Sequence, residues 1–205
     1  MQYVGLRESL KSFTVFSLSD IKKIDPNFFR ARLNEWQKKG YLKKIIRNYY
    51  IFSDLNLNES ALFEIANKIY NPSYISFEAA LSYYGLIPES VYAVTSAASR
   101  KTCKFKTGIG DFIYRKIKPD LFFGYTLVRR VDKVFKMADI EKAFLDYFYI
   151  NPRIKTTDDF KGLRLNMDEL IKQLDEEKLL KYLGAFNNKA LQKRVKLFLR
   201  FIKNA

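Results

Sequence analysis

The sequence predicts an α+β protein, and three observations carry that reading. Within the first fifty residues, helix signals are followed by two extended runs. From there to about residue 150, helix caps alternate with extended segments, and beyond 151 only helical patterning remains. Turn-rich composition at Ser53-Asp54-Leu55-Asn56-Leu57-Asn58 and at Asn151-Pro152-Arg153 divides the chain into residues 1–55, a small N-terminal domain, and 56–205, a mixed α/β domain with a helical subdomain from about 151.

In order, Arg7 to Phe13 reads as a short helix, and Ser19 as the cap of a second helix over Asp20–Ile24, its oxygen satisfying free amides of the first turn. A third helix is expected over Asn27–Lys39, with Asp25 as N-cap, Pro26 as the first helical residue and Gly40 as a left-handed stop. On a helical wheel Phe29, Leu33 and Trp36 form its core side, and Asn27, Arg30, Ala31, Asn34 and Lys38 its polar side. Tyr41–Ile46 and Tyr49–Phe52 then read as two strands joined at Arg47-Asn48, Asn tolerating positive φ. Three helices and a two-stranded ribbon are the order of a winged helix-turn-helix.

Further along, Asn58 caps a helix over Glu59–Tyr70, and Ser76 caps one over Phe77–Tyr84 that Gly85 closes. Val91–Ser96, Asp111–Ile117 and Tyr125–Val131 look extended. Asp139 opens a helix through Tyr149 with Ile140, Phe144, Leu145 and Phe148 at core spacing. Met167–Tyr182 and Asn187–Lys203 follow as two helices divided near Gly184.

Composition narrows the chemistry. Histidine is absent, which excludes Ser-His-Asp and Cys-His catalysis, and the single cysteine, Cys103, excludes a disulfide framework or a thiolate metal cluster. No cofactor or metal is expected. The N-terminus lacks the apolar core of a signal peptide and no run is long enough to span a bilayer, so a soluble, cytoplasmic protein with no membrane partner is expected. Net charge is +15, with eleven Lys/Arg against five Asp/Glu in residues 1–55, thirteen against ten in 56–150 and thirteen against seven in 151–205. Such an excess calls for an anionic partner.

If the third helix enters the major groove of double-stranded DNA, Arg30 would pair with guanine and Asn34 with adenine, with Asn27 and Lys38 on the same face. Lys39, Lys43, Lys44 and Arg47 would neutralise phosphates, and Ser17 and Ser19 would offer hydroxyls from the preceding helix. Two other readings compete. Winged helices also serve as protein-interaction adaptors, and a metal-dependent nuclease would need only acids such as Asp111, Asp120, Asp132, Asp139, Glu141 and Asp146. The spacing of these acids fits a nuclease poorly: Asp139 and Glu141 read as first-turn residues favoured by the helix dipole, and Asp146 as a surface or salt-bridged acid. In the last helix Leu191, Val195, Phe198 and Ile202 form a core stripe, with Lys189, Lys193, Lys196, Arg200 and Lys203 largely off it. These charges suit nucleic acid or an acidic protein surface better than lipid.

The run from Pro72 through Ser76-Phe77-Glu78-Ala79-Ala80-Leu81 and Gly85-Leu86-Ile87-Pro88 to Glu89, then Val94-Thr95-Ser96 with Arg100-Lys101, and Ala138-Asp139-Ile140-Glu141-Lys142-Ala143-Phe144-Leu145-Asp146 resemble the AbiEi family of antitoxins and viral-defence regulators. Leu33, Trp36, Lys39-Gly40-Tyr41-Leu42 and Arg47-Asn48-Tyr49-Tyr50 fit that family's winged helix, so the resemblance spans roughly residues 10–150. It implies a non-enzymatic repressor that binds inverted repeats in its own promoter and acts as antitoxin of a type IV system, opposing a nucleotidyltransferase-like toxin as functional partner. One departure is Asn48, which stands where the family usually has Gly in the wing turn.

Overall fold

A computed structural model describes residues 1–88 and 93–203. Its N-terminal part comprises α1 (Tyr3–Leu10), β1 (Phe16–Ser17), α2 (Leu18–Ile24), α3 (Ala31–Lys38), β2 (Leu42–Ile46) and β3 (Tyr49–Phe52), with the strands ordered β1-β3-β2. The ribbon lies where the sequence places it, and Asn48 makes the turn at φ 68°. β1 is an addition: two residues pair with Tyr49 and Tyr50 and close a three-stranded sheet.

Five local expectations are corrected. The first helix starts at Tyr3 and ends at Leu10, because Leu6 and Leu10 are the residues it buries. Ser17, not Ser19, caps α2: its hydroxyl accepts from the Asp20 amide while the Asp20 carboxylate takes the Ser17 amide at 2.8 Å. Asp25 ends α2 rather than starting α3, its carboxylate accepting the Asn27 amide at 3.2 Å in a local turn. Residues 25–30 are therefore spent turning the chain, and α3 is only eight residues long. That turn delivers Phe28 (5% exposed) to the core beside Trp36 and leaves Phe29 70% exposed, opposite to the wheel. Gly40, at φ 74°, does stop α3, with the Tyr41 amide bonded back to the Trp36 carbonyl at 2.9 Å.

The remainder runs α4 (Glu59–Ile69), β4 (Ser73–Ile75), α5 (Phe77–Tyr83), β5 (Ala93–Ala98), β6 (Cys103–Thr107), β7 (Gly110–Lys116), a 3₁₀ turn (Pro119–Leu121), β8 (Tyr125–Arg130), β9 (Lys133–Ala138), α6 (Ile140–Ile150), α7 (Thr157–Gly162), α8 (Met167–Gln173), α9 (Glu176–Ala185) and α10 (Lys189–Lys203). Of the expected strand Val91–Ser96, positions 91 and 92 lie outside the described residues, as does Glu89. Strands β4, β6 and β9 are additions to the expected strands, although Cys103-Lys104-Phe105-Lys106 alternates just before the turn at Gly108–Gly110 and Asn71-Pro72 precedes β4. The mixed sheet is ordered β6-β7-β5-β4-β9-β8, with β4–β9 and β5–β7 parallel.

Register decides which helix covers which face. Tyr114 of β7 aligns with Ser96 and, through it, with Ile75, and its hydroxyl donates to the Ala66 carbonyl of α4 at 2.7 Å. The neighbouring Tyr74 points the other way and reaches Asp146 of α6. The sheet thus lies between α4 and the α5–α6 pair.

The helical end differs from expectation in number. Met167–Tyr182 is not one helix: it breaks at Leu174-Asp175, where Asp175 caps α9 by accepting the Lys178 amide at 3.0 Å. Gly184 lies inside α9, and the division from α10 falls at residues 186–188. In α10 the stripe Leu191, Val195, Phe198 and Ile202 is buried as patterned.

Candidate nucleic-acid interface

Two hydrophobic cores meet at the ribbon. Phe16, Leu42, Tyr50 and Phe52 pack with Leu6, Leu10, Ile21, Phe28, Leu33 and Trp36, whereas Val15, Ile45 and Ile51 belong to the core of the larger part. Strand alternation does this: successive side chains of β3 face opposite ways, so one short sheet serves both cores.

Arg30 at the N-cap of α3, and Asn34 and Lys38 within the helix, follow at intervals of four, all exposed, opposite buried Leu33 and Trp36. The side chains of Arg30 and Lys38, together with those of exposed Lys43, Lys44 and Arg47 on the ribbon, have no hydrogen bond or ion pair among the described residues. Lys43 aligns with Ile51 and Lys44 with Tyr50, so the two lysines leave β2 on opposite faces. Lys39 is half committed: Glu35 holds it at 2.7 Å, a pairing that raises the lysine pKa and lowers that of the glutamate. Two of the expected contacts are placed elsewhere. Ser17 is consumed, its hydroxyl donating to the Asp20 carboxylate at 2.7 Å while accepting from the Asp20 amide. Asn27 is exposed but sits in the turn before α3, off the row of Arg30, Asn34 and Lys38. Ser19 is exposed in the first turn of α2.

The sequence reading missed the neighbouring β6–β7 hairpin, which lies against β2. Residues 98–118 hold seven Lys/Arg and one acid, Asp111, so the rest of the 56–150 stretch is net acidic and its mild total conceals a basic segment. A charge count in a window of twenty residues would have found it. Lys104 and Lys106 share the outward side of the edge strand β6, and Lys104 is held by Asp111 at 2.8 Å. The side chains of Lys101, Lys106, Lys116 and Lys118 are exposed and without a partner among the described residues.

The acids weighed for a nuclease are mostly engaged by lysines. Lys178 bridges Asp139 (2.9 Å) and Glu141 (2.8 Å), and Lys133 holds Asp132 at 2.6 Å. Glu141 does lie in the first turn of α6, and it is also buried, at 3% exposure, its carboxylate accepting the Asp175 amide where α9 begins. Asp146 is salt-bridged but is no surface acid: it and Lys142 are fully buried, one helical turn apart on α6. Asp146 accepts from Lys142, from the Tyr74 hydroxyl at 2.8 Å and from the Ser76 hydroxyl at 2.9 Å. The rings of Phe186, Phe123 and Tyr74 stand 5.1, 5.2 and 5.5 Å from the Lys142 ammonium. Burial pushes the Asp146 pKa up and the Lys142 pKa down, each toward its neutral form. This cluster ties β4 to α6 inside the core.

The chain matches no protein-family model, and no curated protein matches it closely enough to count as a relative. Among the described residues no helix is long and apolar enough to cross a membrane.

Proposed function

We propose that the chain is a cytoplasmic, sequence-specific DNA-binding repressor and the antitoxin of a type IV toxin–antitoxin system. Residues 1–55 act as a winged helix: α3 enters the major groove and the β2–β3 ribbon holds the backbone. The observation that supports this most is the row Arg30, Asn34 and Lys38, exposed on a helix whose other side is locked in the core. Arg30 would reach guanine and Asn34 adenine. Lys43, Lys44 and Arg47, with Lys106 of the adjoining hairpin, would meet phosphates. The antitoxin role rests on the AbiEi-like blocks Ser76–Gly85 and Ala138–Asp146. Their roles in the fold are packing and internal hydrogen bonding, which suits a non-enzymatic protein.

The test is binding to DNA from upstream of its own reading frame. Arg30→Ala should lower affinity for the preferred sequence by about 1–3 kcal/mol and blur the preference. Lys44→Ala should weaken all duplexes alike and flatten the salt dependence by about 0.9 of a log-log unit. Parent-like binding by both variants would refute the interface. A nucleotidyltransferase gene adjacent to this one would support the antitoxin role.

A further inference from the structure

Helix α10 carries four cations in single file. Lys189, Lys193, Lys196 and Arg200 succeed one another at four, three and four residues, which keeps them on one narrow stripe. All four are exposed, and none of their side chains has a hydrogen bond or ion pair among the described residues. At the helical rise, they are spaced by about 6, 4.5 and 6 Å over about 16 Å.

The support beneath them is fixed. Leu191, Val195, Phe198 and Ile202 are buried on the opposite side. Arg194 turns inward at 8% exposure, and one of its nitrogens donates to the carbonyls of Phe148 (2.9 Å), Asn151 (3.1 Å) and Ile154 (3.3 Å), fastening α10 to the end of α6. Like charges three and four residues apart destabilise a helix, so an unrelieved row of them is a local conflict. A counter-charge does reach α10, since Glu176 pairs with Lys203 at 2.8 Å, but it stands at the end of the helix and leaves the row uncompensated.

We propose that this ridge is a second nucleic-acid contact, separate from α3 and the ribbon, which lies along a phosphate backbone without reading sequence. The partner's chemistry follows from what the ridge contains. It offers positive charge at near-regular intervals, matching a polymer of regularly repeated negative charge, and the stripe itself holds only Lys and Arg, with the half-buried Gln192 at its border and no ring on it to stack a base. An acidic protein surface is the competing occupant.

The experiment compares the full chain with the variant Lys189→Gln/Lys193→Gln/Lys196→Gln/Arg200→Gln on a duplex lacking the promoter sequence, by fluorescence anisotropy between about 50 and 200 mM salt. The expected result is a log-log salt slope shallower by up to about 3–4 units with the preference for promoter over unrelated DNA retained. The melting temperature should hold or rise, because like-charge repulsion has been removed. A slope and affinity equal to the parent's overturn the proposal. So does loss of binding to poly-glutamate with DNA binding intact, which would assign the ridge to acidic protein. The two interfaces fail separately: a ridge effect with parent-like Arg30→Ala refutes only the α3 reading, and the converse refutes only the ridge.

Discussion

Ser76 and Asp146, seventy residues apart in the chain, share a hydrogen bond of 2.9 Å inside the core. Ser76 occupies the N-cap position of α5, yet its hydroxyl does not cap the helix. Thr95 of β5 does so instead, accepting the Ala79 amide at 2.9 Å while donating to the Ser76 carbonyl at 2.8 Å. The freed serine joins Tyr74 and Lys142 around Asp146, so the polar centre of the larger core is assembled from β4, the start of α5 and α6.

That arrangement makes single and paired substitutions unequal. Asp146→Ala strands a buried ammonium, and unfolding free energy should fall by about 3–5 kcal/mol in urea titration. Lys142→Met/Asp146→Leu removes both charges and should cost much less. Equal losses in the two proteins would show that the charge pair is not what matters there.

Gly124 lies against this cluster at φ 70°. A β-carbon there would stand 2.9 Å from Cγ of Lys142 and 3.0 Å from the Tyr182 ring. Gly124→Ala therefore combines an unfavourable backbone conformation with a clash against a side chain that cannot swing away. A loss of about 1–3 kcal/mol is expected, whereas Gly108→Ala, in open space and outside the positive-φ region, should change the urea midpoint little.

Acid should weaken the N-terminal core through Asp20. Burial pushes its carboxyl pKa up, but hydrogen bonds from the Ser17 hydroxyl and amide, aided by Lys68, outweigh that and leave it below the ordinary value. A depressed carboxylate contributes stability above its unfolded pKa of about 3.9 and loses it as pH falls through the folded value. Ser17→Ala should therefore destabilise by about 1 kcal/mol near neutrality, and the difference from the parent should shrink below about pH 4. Thermal melts across pH 2–7 would check it; a gap that widens in acid would contradict this account.

The β6–β7 hairpin gives a prediction for DNA binding distinct from α3 and from α10. Lys101→Ala/Lys106→Ala should lower affinity for promoter and unrelated duplex alike and flatten the salt slope by nearly two units, about 0.9 for each phosphate no longer neutralised. Full retention of the slope would place the duplex away from this hairpin.

Several elements were legible because their signals are local. Gly40 beyond an apolar-periodic run, Asn48 between two extended runs, Asn58 and Asp139 before helices, and the four-residue stripe of α10 depend on nearby backbone geometry, and each appears where the sequence puts it. The exposed row Arg30, Asn34 and Lys38 was legible for the same reason, since Leu33 and Trp36 on one side fix what faces outward. By contrast, whether Asp25 caps or turns, and whether Phe28 or Phe29 is core, depended on where α2 had to hand the chain to α3. The expected caps at Ser19 and Ser76 failed because neighbours offered other partners.

The sequence by itself determined the α+β class, the ribbon, the charge excess and the lack of histidine chemistry, because composition and short-range periodicity need no knowledge of distant contacts. Only the tertiary structure decided that a sheet of three short strands serves two cores, that a basic hairpin lies beside β2, and that Lys142 and Asp146 are interior. A charged side chain bears no mark of its eventual burial in its own segment; that depends on Tyr74, Ser76, Phe123 and Phe186 converging on it from elsewhere in the chain.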